Sequence, residues 1–149
     1  MTTTMTIAEL EQAGERDLGA GSWVEVEQRN IELFAEATGD HQWIHVDREA
    51  AVGGPFGTTV AHGYLALAML PALLHELLSV TDARIGINYG VEKVRFTAPV
   101  PSGSRVRLRA RLRSSERRGE GVLYRVGVEI EIEGREKPAL VGEVIYLVS

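Results

Sequence analysis

One apolar segment of about membrane length, residues 61–80, constrains this chain more than any other feature of its sequence. The segment contains Pro71, His75 and Glu76, which a lone membrane span would rarely carry. A helix that is hydrophobic on nearly every side must be covered on several sides. We therefore expect a buried helix from His62 to about Ser79, with a kink or break at Pro71, where proline removes a backbone donor.

The chain after residue 84 changes to the alternation that is typical of strands. Residues 105–113 place an arginine at every second position, and residues 122–133 also alternate between apolar and polar positions. Residues 138–148 are apolar on both faces, which indicates a more deeply buried strand. The polar segment 114–121 predicts a turn between two strands of an antiparallel hairpin. These patterns predict an α+β fold in which an antiparallel sheet curls around the central helix.

The first part of the chain predicts shorter elements. We expect a short helix over residues 6–13, a strand over residues 22–26, and a helix over residues 28–38 that Gly39 ends. Residues 40–59 are rich in glycine, aspartate and histidine, and they predict an irregular, functional loop with one helical turn after Asp47.

Composition limits the classes of protein to which the chain can belong. Its 149 residues predict a single domain, residues 1–149, and the absence of cysteine excludes disulfides and a thiolate nucleophile. A net charge of −5 disfavours nucleic acid as a partner, because phosphate contacts need a basic excess. No secretory signal is visible at the N-terminus. We therefore expect a cytoplasmic protein that binds neither nucleic acid nor membrane.

Asp40 and His45 are the first candidates for catalysis. On a regular helix these two side chains would point in different directions, but on a tight loop they can face one small volume. A carboxylate and an imidazole there form an acid/base pair that orients a water near neutral pH. Alternatively, Asp40 closes the end of a helix and His45 packs in a loop, and spacing alone leaves both interpretations open.

His62 and Gly63 open the apolar helix, where backbone N–H groups lack helical partners. Because Gly63 has no side chain to block a ligand, its N–H is a candidate donor to a developing oxyanion, such as a thioester enolate. The alternative is that Gly63 only permits close packing.

Metal and phosphate binding are two further possibilities. Asp40, His41, His45 and His62 are residue types that bind zinc or iron, but no HExxH-like spacing is present, so we expect no metal. The arginines of residues 105–113 could bind cofactor phosphates. Cross-strand pairing with glutamates of residues 129–133 explains most of that pattern.

Two longer motifs resemble one protein family. The segments 34–47, FAEATGDHQWIHVD, and 54–63, GPFGTTVAHG, resemble the MaoC-like (R)-specific enoyl-CoA hydratases and 3-hydroxyacyl-thioester dehydratases, in the branch related to nodulation protein N. The resemblance extends through residues 88–90, 94–96 and 98–101, and thus covers most of the chain after residue 22.

The resemblance implies a single hot-dog fold and the reversible hydration of trans-2-enoyl thioesters to (R)-3-hydroxyacyl thioesters. Asp40 and His45 match the family's Asp-x4-His motif, which implies that they hold the attacking water, and Gly63 matches its oxyanion donor. No metal or redox cofactor is implied, since the acyl-thioester substrate carries its own CoA or phosphopantetheine.

Residues around the motif are expected to bind substrate, namely His62, Trp43, Phe56 and Asn88. Trp43 and Phe56 flank the loop. Asn88 interrupts an apolar strand, where it either faces the pocket or bonds to a neighbouring loop. The sequence departs from the family in two places: Gln42-Trp43 replaces a common Asn-Pro, and Pro71 stands near the position where some members have a serine.

A lone hot-dog unit leaves a sheet edge exposed and its pocket half built, so we expect a homodimer with the acyl channel at or near the subunit interface. Two other functions fit the same fold: a hot-dog thioesterase, which does not need His45, and a non-catalytic acyl-thioester-binding module. The pairing of Asp40 with His45 favours the hydratase, because a binding module does not need to activate water.

Overall fold

A computed structural model describes the whole chain, residues 1–149. The elements in chain order are β1 (Thr3–Met5), α1 (Ile7–Gln12), β2 (Arg16–Ala20), β3 (Val24–Glu25), α2 (Gln28–Thr38), α3 (Trp43–Val46), α4 (Arg48–Val52), α5 (Gly63–Leu77), β4 (Leu78–Val80), β5 (Gly86–Phe96), β6 (Arg105–Arg118), β7 (Gly121–Ile132) and β8 (Leu140–Val148). None of the helices has the length and apolar character needed to cross a membrane.

Helix α5 carries the apolar segment and forms one side of the core. Leu70, Leu73, Leu74 and Leu77 on this helix are buried. Of the expected kink or break at Pro71, the break is wrong, because the helix runs continuously through that residue; the kink stays a prediction. Pro71 itself is exposed, and burial of the neighbouring leucines outweighs one lost backbone hydrogen bond.

The main sheet is antiparallel, with the strand order β2-β6-β7-β8-β5 and with β3 also paired to β6. Alternate residues of β6 and β7, such as Leu108, Val126 and Ile130, are buried in the core with α5. This arrangement is the hot-dog fold that the family resemblance implies. Strand β5 forms one edge of the sheet and runs beside α5.

The polar segment expected to be a turn is mostly strand. Strand β6 continues to Arg118 and β7 begins at Gly121, so the turn occupies only residues 119 and 120, with Gly119 at a φ of 61°. Polar side chains remain in the strand because its end lies at the surface, where Arg117 forms an ion pair with Glu11 at 2.7 Å. The prediction of a longer turn is therefore wrong.

One side of the molecule exposes apolar side chains from two elements. On α5 the exposed residues include Tyr64 and Pro71, and on β5 they include Ile87, Tyr89 and Val91. The sheet therefore covers only part of the apolar helix within a single chain.

Candidate active site

Asp40 follows the C-terminus of α2. That helix ends as the sequence predicts, at Thr38, with Gly39 in the left-handed conformation at a φ of 81° and its N–H bonded to the Ala35 carbonyl. The Asp40 side chain is exposed, and one of its carboxylate oxygens accepts a long 3.4 Å hydrogen bond from the Gln42 N–H. The second carboxylate oxygen has no partner within the chain, so the carboxylate can bind a water or a substrate.

His45 lies on the short helix α3 and is buried, with 7% of its surface exposed. Its Nδ1 lies 2.6 Å from the Val60 carbonyl oxygen. Because a carbonyl only accepts hydrogen bonds, Nδ1 must carry a proton. In the neutral ring, Nε2 therefore holds a lone pair that can take a proton from water.

A buried amide holds the backbone of His45. The Gln28 side chain donates a 2.8 Å hydrogen bond to the His45 carbonyl and accepts one of 2.7 Å from the Thr59 hydroxyl. Gln28 and Thr59 are both buried. Sequence reasoning missed both supporting residues, since no local signal pairs side chains 31 positions apart.

Burial lowers the pKa of His45 below its ordinary value of 6.5. The hydrogen bond to Val60 opposes this shift, the charge of His62 adds to it, and the charge of Asp40 opposes it. The imidazole is therefore neutral at neutral pH, which is the form that a general base requires.

His62 brings the loop and the beginning of α5 together. Its ring stacks on the ring of His45 with a centroid distance of 3.8 Å and an interplanar angle of 23°. Its Nε2 lies 2.9 Å from the Asp40 backbone oxygen. Asp40, His45 and His62 each place one polar atom within 4.8 Å of the others, so the residues that the sequence singles out do converge.

The same three residues are the candidate metal ligands of the structure. An imidazole lone pair lies in the plane of its ring, and the planes of His45 and His62 are nearly parallel and stacked. Two such rings cannot aim their lone pairs at one ion about 2 Å from both nitrogens. In this arrangement the cluster does not suit a metal.

A cavity of about 320 Å³ lies between the loop and the N-terminal end of α5, lined mainly by apolar residues together with His45, His62 and Gly63. The Gly63 N–H has no hydrogen-bond partner within the chain. A methyl group on Gly63 would stand 2.9 Å from the ring of Phe96, which explains why this position needs glycine. The cavity thus combines an open backbone donor with the base His45, whereas Asp40 lies beside the cavity, with a carboxylate oxygen within 4.8 Å of a ring nitrogen of His45.

The remaining predicted residues lie in different places. Phe56 lines the cavity, whereas Trp43 packs against Gly54 and does not line it. Asn88 lines two other cavities beside Pro71, because β5 runs antiparallel along α5 and carries Asn88 towards the far half of that helix. Within one chain, the expectation that Asn88 shares the pocket of Asp40 and His45 is therefore not met.

The arginine-rich face of β6 is neutralised by pairing. Arg105 contacts Glu133 at 3.1 Å, and Arg113 contacts Glu15 at 2.8 Å. Arg107 and Arg109 share Glu131. This face therefore resembles a solvated ion-pair network more than a phosphate site.

Comparison with known proteins finds relatives along nearly the whole chain. The family model described as the MaoC like domain matches residues 9–133. The 3-hydroxyacyl-thioester dehydratase Z of Mycobacterium tuberculosis is 49% identical over 146 residues, which are 97% of this chain and 97% of that protein. Nodulation protein N of Rhizobium leguminosarum bv. viciae is 43% identical over 150 residues, covering 97% of this chain and 92% of that protein.

A solved structure shows the same fold at lower sequence identity. The R-hydratase PhaJ1 of Pseudomonas aeruginosa, in its unliganded form, superimposes with a TM-score of 0.68 and 22% identity. The match covers 91% of this chain and 87% of that one.

Proposed function

The chain belongs to the MaoC-like dehydratase family, and from that membership together with the site geometry we propose that it hydrates trans-2-enoyl thioesters reversibly to (R)-3-hydroxyacyl thioesters. The observation that carries the proposal is the convergence of Asp40 and His45 beside the unpaired N–H of Gly63. Hydration of an enoyl thioester needs a water-activating pair and an oxyanion donor; His45 and Gly63 line the cavity, and Asp40 lies next to His45.

The geometry supports the following sequence of events. The thioester carbonyl oxygen accepts a hydrogen bond from the Gly63 N–H, and one water lies between Asp40 and His45 beside C3. The Nε2 lone pair of His45 takes a proton as the water oxygen attacks C3, and negative charge develops on the thioester oxygen. The pair then returns one proton to C2, so its own protonation state is restored. The two groups titrate as a unit.

The expected contributions follow from general values for such groups. General acid/base catalysis contributes about 10²–10⁴-fold. An oxyanion donor contributes about 10²–10³-fold in comparable sites. No metal or redox step is needed, since CoA or phosphopantetheine arrives with the substrate.

We also propose that the protein acts as a homodimer joined along β5. The exposed apolar residues Ile87, Tyr89 and Val91 lie on this sheet edge, and an open edge with apolar side chains favours pairing with another strand. The substitution Ile87→Lys is expected to shift the mass measured by analytical ultracentrifugation from dimer to monomer. A wild-type chain that is both monomeric and fully active would contradict this proposal.

The activity is tested by following crotonyl-CoA in two assays, one for loss of enoyl absorbance and one for release of free thiol. We expect loss of enoyl absorbance without free thiol, and a strong decrease in rate for Asp40→Asn and for His45→Gln. Release of free thiol would identify a thioesterase instead. Tight binding of the thioester without turnover would identify a binding module.

A further inference from the structure

His62 makes several contacts that no substrate-binding role requires. The residue is buried, with 2% of its surface exposed. Its Nε2 lies at hydrogen-bond distance from the Asp40 carbonyl oxygen, and one face of its ring lies on His45. It also directly precedes Gly63 in the chain. A single side chain therefore touches both members of the acid/base pair from the position next to the oxyanion donor.

The hydrogen bond from His62 is the shortest of the polar contacts that Asp40 makes. The Asp40 N–H and carboxylate take part only in contacts of 3.4 Å, to the Thr38 hydroxyl and to the Gln42 N–H, whereas His62 Nε2 approaches the carbonyl oxygen to 2.9 Å. Since a carbonyl only accepts, Nε2 of His62 donates. This contact thus fixes the loop that carries the acid relative to the helix that carries the amide.

From these contacts we infer that His62 is a positioning residue of the hydration site, which sets the distance between the Asp40–His45 pair and the Gly63 amide. The inference rests on the proposed function. Displacement of reacting groups by about 1 Å costs on the order of 10²-fold in rate, so one hydrogen bond at this junction has a large kinetic effect.

A role in packing alone does not explain the choice of histidine. The Nδ1 of His62 is buried and has no hydrogen-bond partner, and a buried polar atom of this kind is unfavourable for stability. Phe34 also contacts the ring, with a centroid distance of 4.9 Å, so an aromatic hydrocarbon would suit the surroundings better. Packing therefore does not account for the histidine, whereas the hydrogen bond from its Nε2 does.

His62 also acts electrostatically on His45. Burial has the largest effect on the pKa of His45 and lowers it, whereas the hydrogen bond to the Val60 carbonyl raises it. Of the neighbouring titratable groups, His62 lowers the pKa of His45 and Asp40 raises it. Removal of the His62 imidazole is therefore expected to raise the pKa of His45. The acid limb of the pH profile for kcat/KM should move to higher pH.

The test compares three substitutions of His62 with a control on the same helix. His62→Gln keeps an amide donor near the position of Nε2, and His62→Phe keeps an aromatic ring without the donor. His62→Asn removes the ring, and its shorter side chain does not extend to the Asp40 carbonyl oxygen. His75→Gln is the control, because His75 is exposed in the last turn of α5. For each protein we would measure kcat, KM and the pKa of His45 by NMR titration of the imidazole protons.

We expect kcat to fall about 10²-fold in His62→Phe and His62→Asn with little change in KM, and to recover largely in His62→Gln. The pKa of His45 should rise in all three and stay unchanged in His75→Gln. A wild-type kcat in His62→Phe or His62→Asn would overturn the inference, as would equal losses in His62→Gln and His62→Asn. If His62→Phe does not fold, the comparison of His62→Gln with His62→Asn still decides.

The NMR titration needs no turnover, so it tests the contact of His62 with His45, on which the inference depends, separately from the proposed function. A wild-type protein that hydrates no enoyl thioester refutes the function. An unchanged pKa of His45 in the His62 variants refutes the coupling between the two histidines whatever the activity is.

Discussion

The substitution Gln28→Met tests the network behind the acid/base pair. Methionine keeps the length of the side chain but removes the amide, which leaves the His45 carbonyl and the Thr59 hydroxyl without their partners. Each buried group left unpaired costs about 1–3 kcal/mol, so the free energy of unfolding should fall by about 2–6 kcal/mol. The rate of hydration should fall as well, because the amide fixes the backbone of His45.

Urea denaturation at a fixed protein concentration measures the stability change, since association would otherwise alter the result. The double substitution Gln28→Met with Thr59→Val removes one of the two unpaired groups. It should therefore be more stable than Gln28→Met alone by about 1–3 kcal/mol. Equal stability of Gln28→Met and the wild type, or no recovery in the double variant, would refute the reasoning.

Three further predictions concern His45, the N-terminus of α5 and the charged surface. Because burial lowers the pKa of His45, the unfolded chain protonates this imidazole at a higher pH than the folded chain does. The free energy of unfolding should therefore fall as the pH drops below about 6.5. Urea titrations at several pH values should show that His45→Gln removes the contribution of His45 to this pH dependence. Gly63→Ala would place a methyl group 2.9 Å from Phe96 and should lower kcat/KM by about 10²-fold. The control Gly53→Ala, whose added methyl group has its nearest contact at 3.8 Å, should leave kcat/KM unchanged. Equal kcat/KM values for the two variants would contradict this prediction. Arg113→Gln breaks an exposed ion pair with Glu15 and should cost no more than about 1 kcal/mol in thermal unfolding, so a larger loss would show that the pair is not a simple surface contact.

Local patterns in the sequence predicted the elements that local chemistry determines. The helix over residues 28–38 has the predicted bounds, because its apolar stripe and the glycine that follows it are both local signals. The alternation in β6 and β7 predicted which faces are buried, and the resemblance predicted the hot-dog arrangement. The short helix after Asp47 also forms, with the Asp47 carboxylate accepting from the Ala50 N–H at its N-terminus.

Features that depend on distant contacts could not be predicted in this way. The helix continues through Pro71 because tertiary burial outweighs a local preference. Gln28 and Thr59 support His45 from two separate parts of the chain, and the stacking of His62 on His45 depends on how the loop folds back. The sequence identified the chemical groups of the site, whereas their hydrogen bonds and orientations required coordinates. The absence of a cofactor and the cytoplasmic location stay predictions.

The central claim is that Asp40 and His45 act together on one water, and a double-substitution experiment tests it most directly. Initial rates of crotonyl-CoA hydration would be measured for Asp40→Asn, for His45→Gln and for the protein that carries both changes. If the two groups work as a unit, the double variant should be no slower than the slower single variant. Losses that multiply in the double variant would show that the two side chains act independently, and the shared-water account would then be wrong.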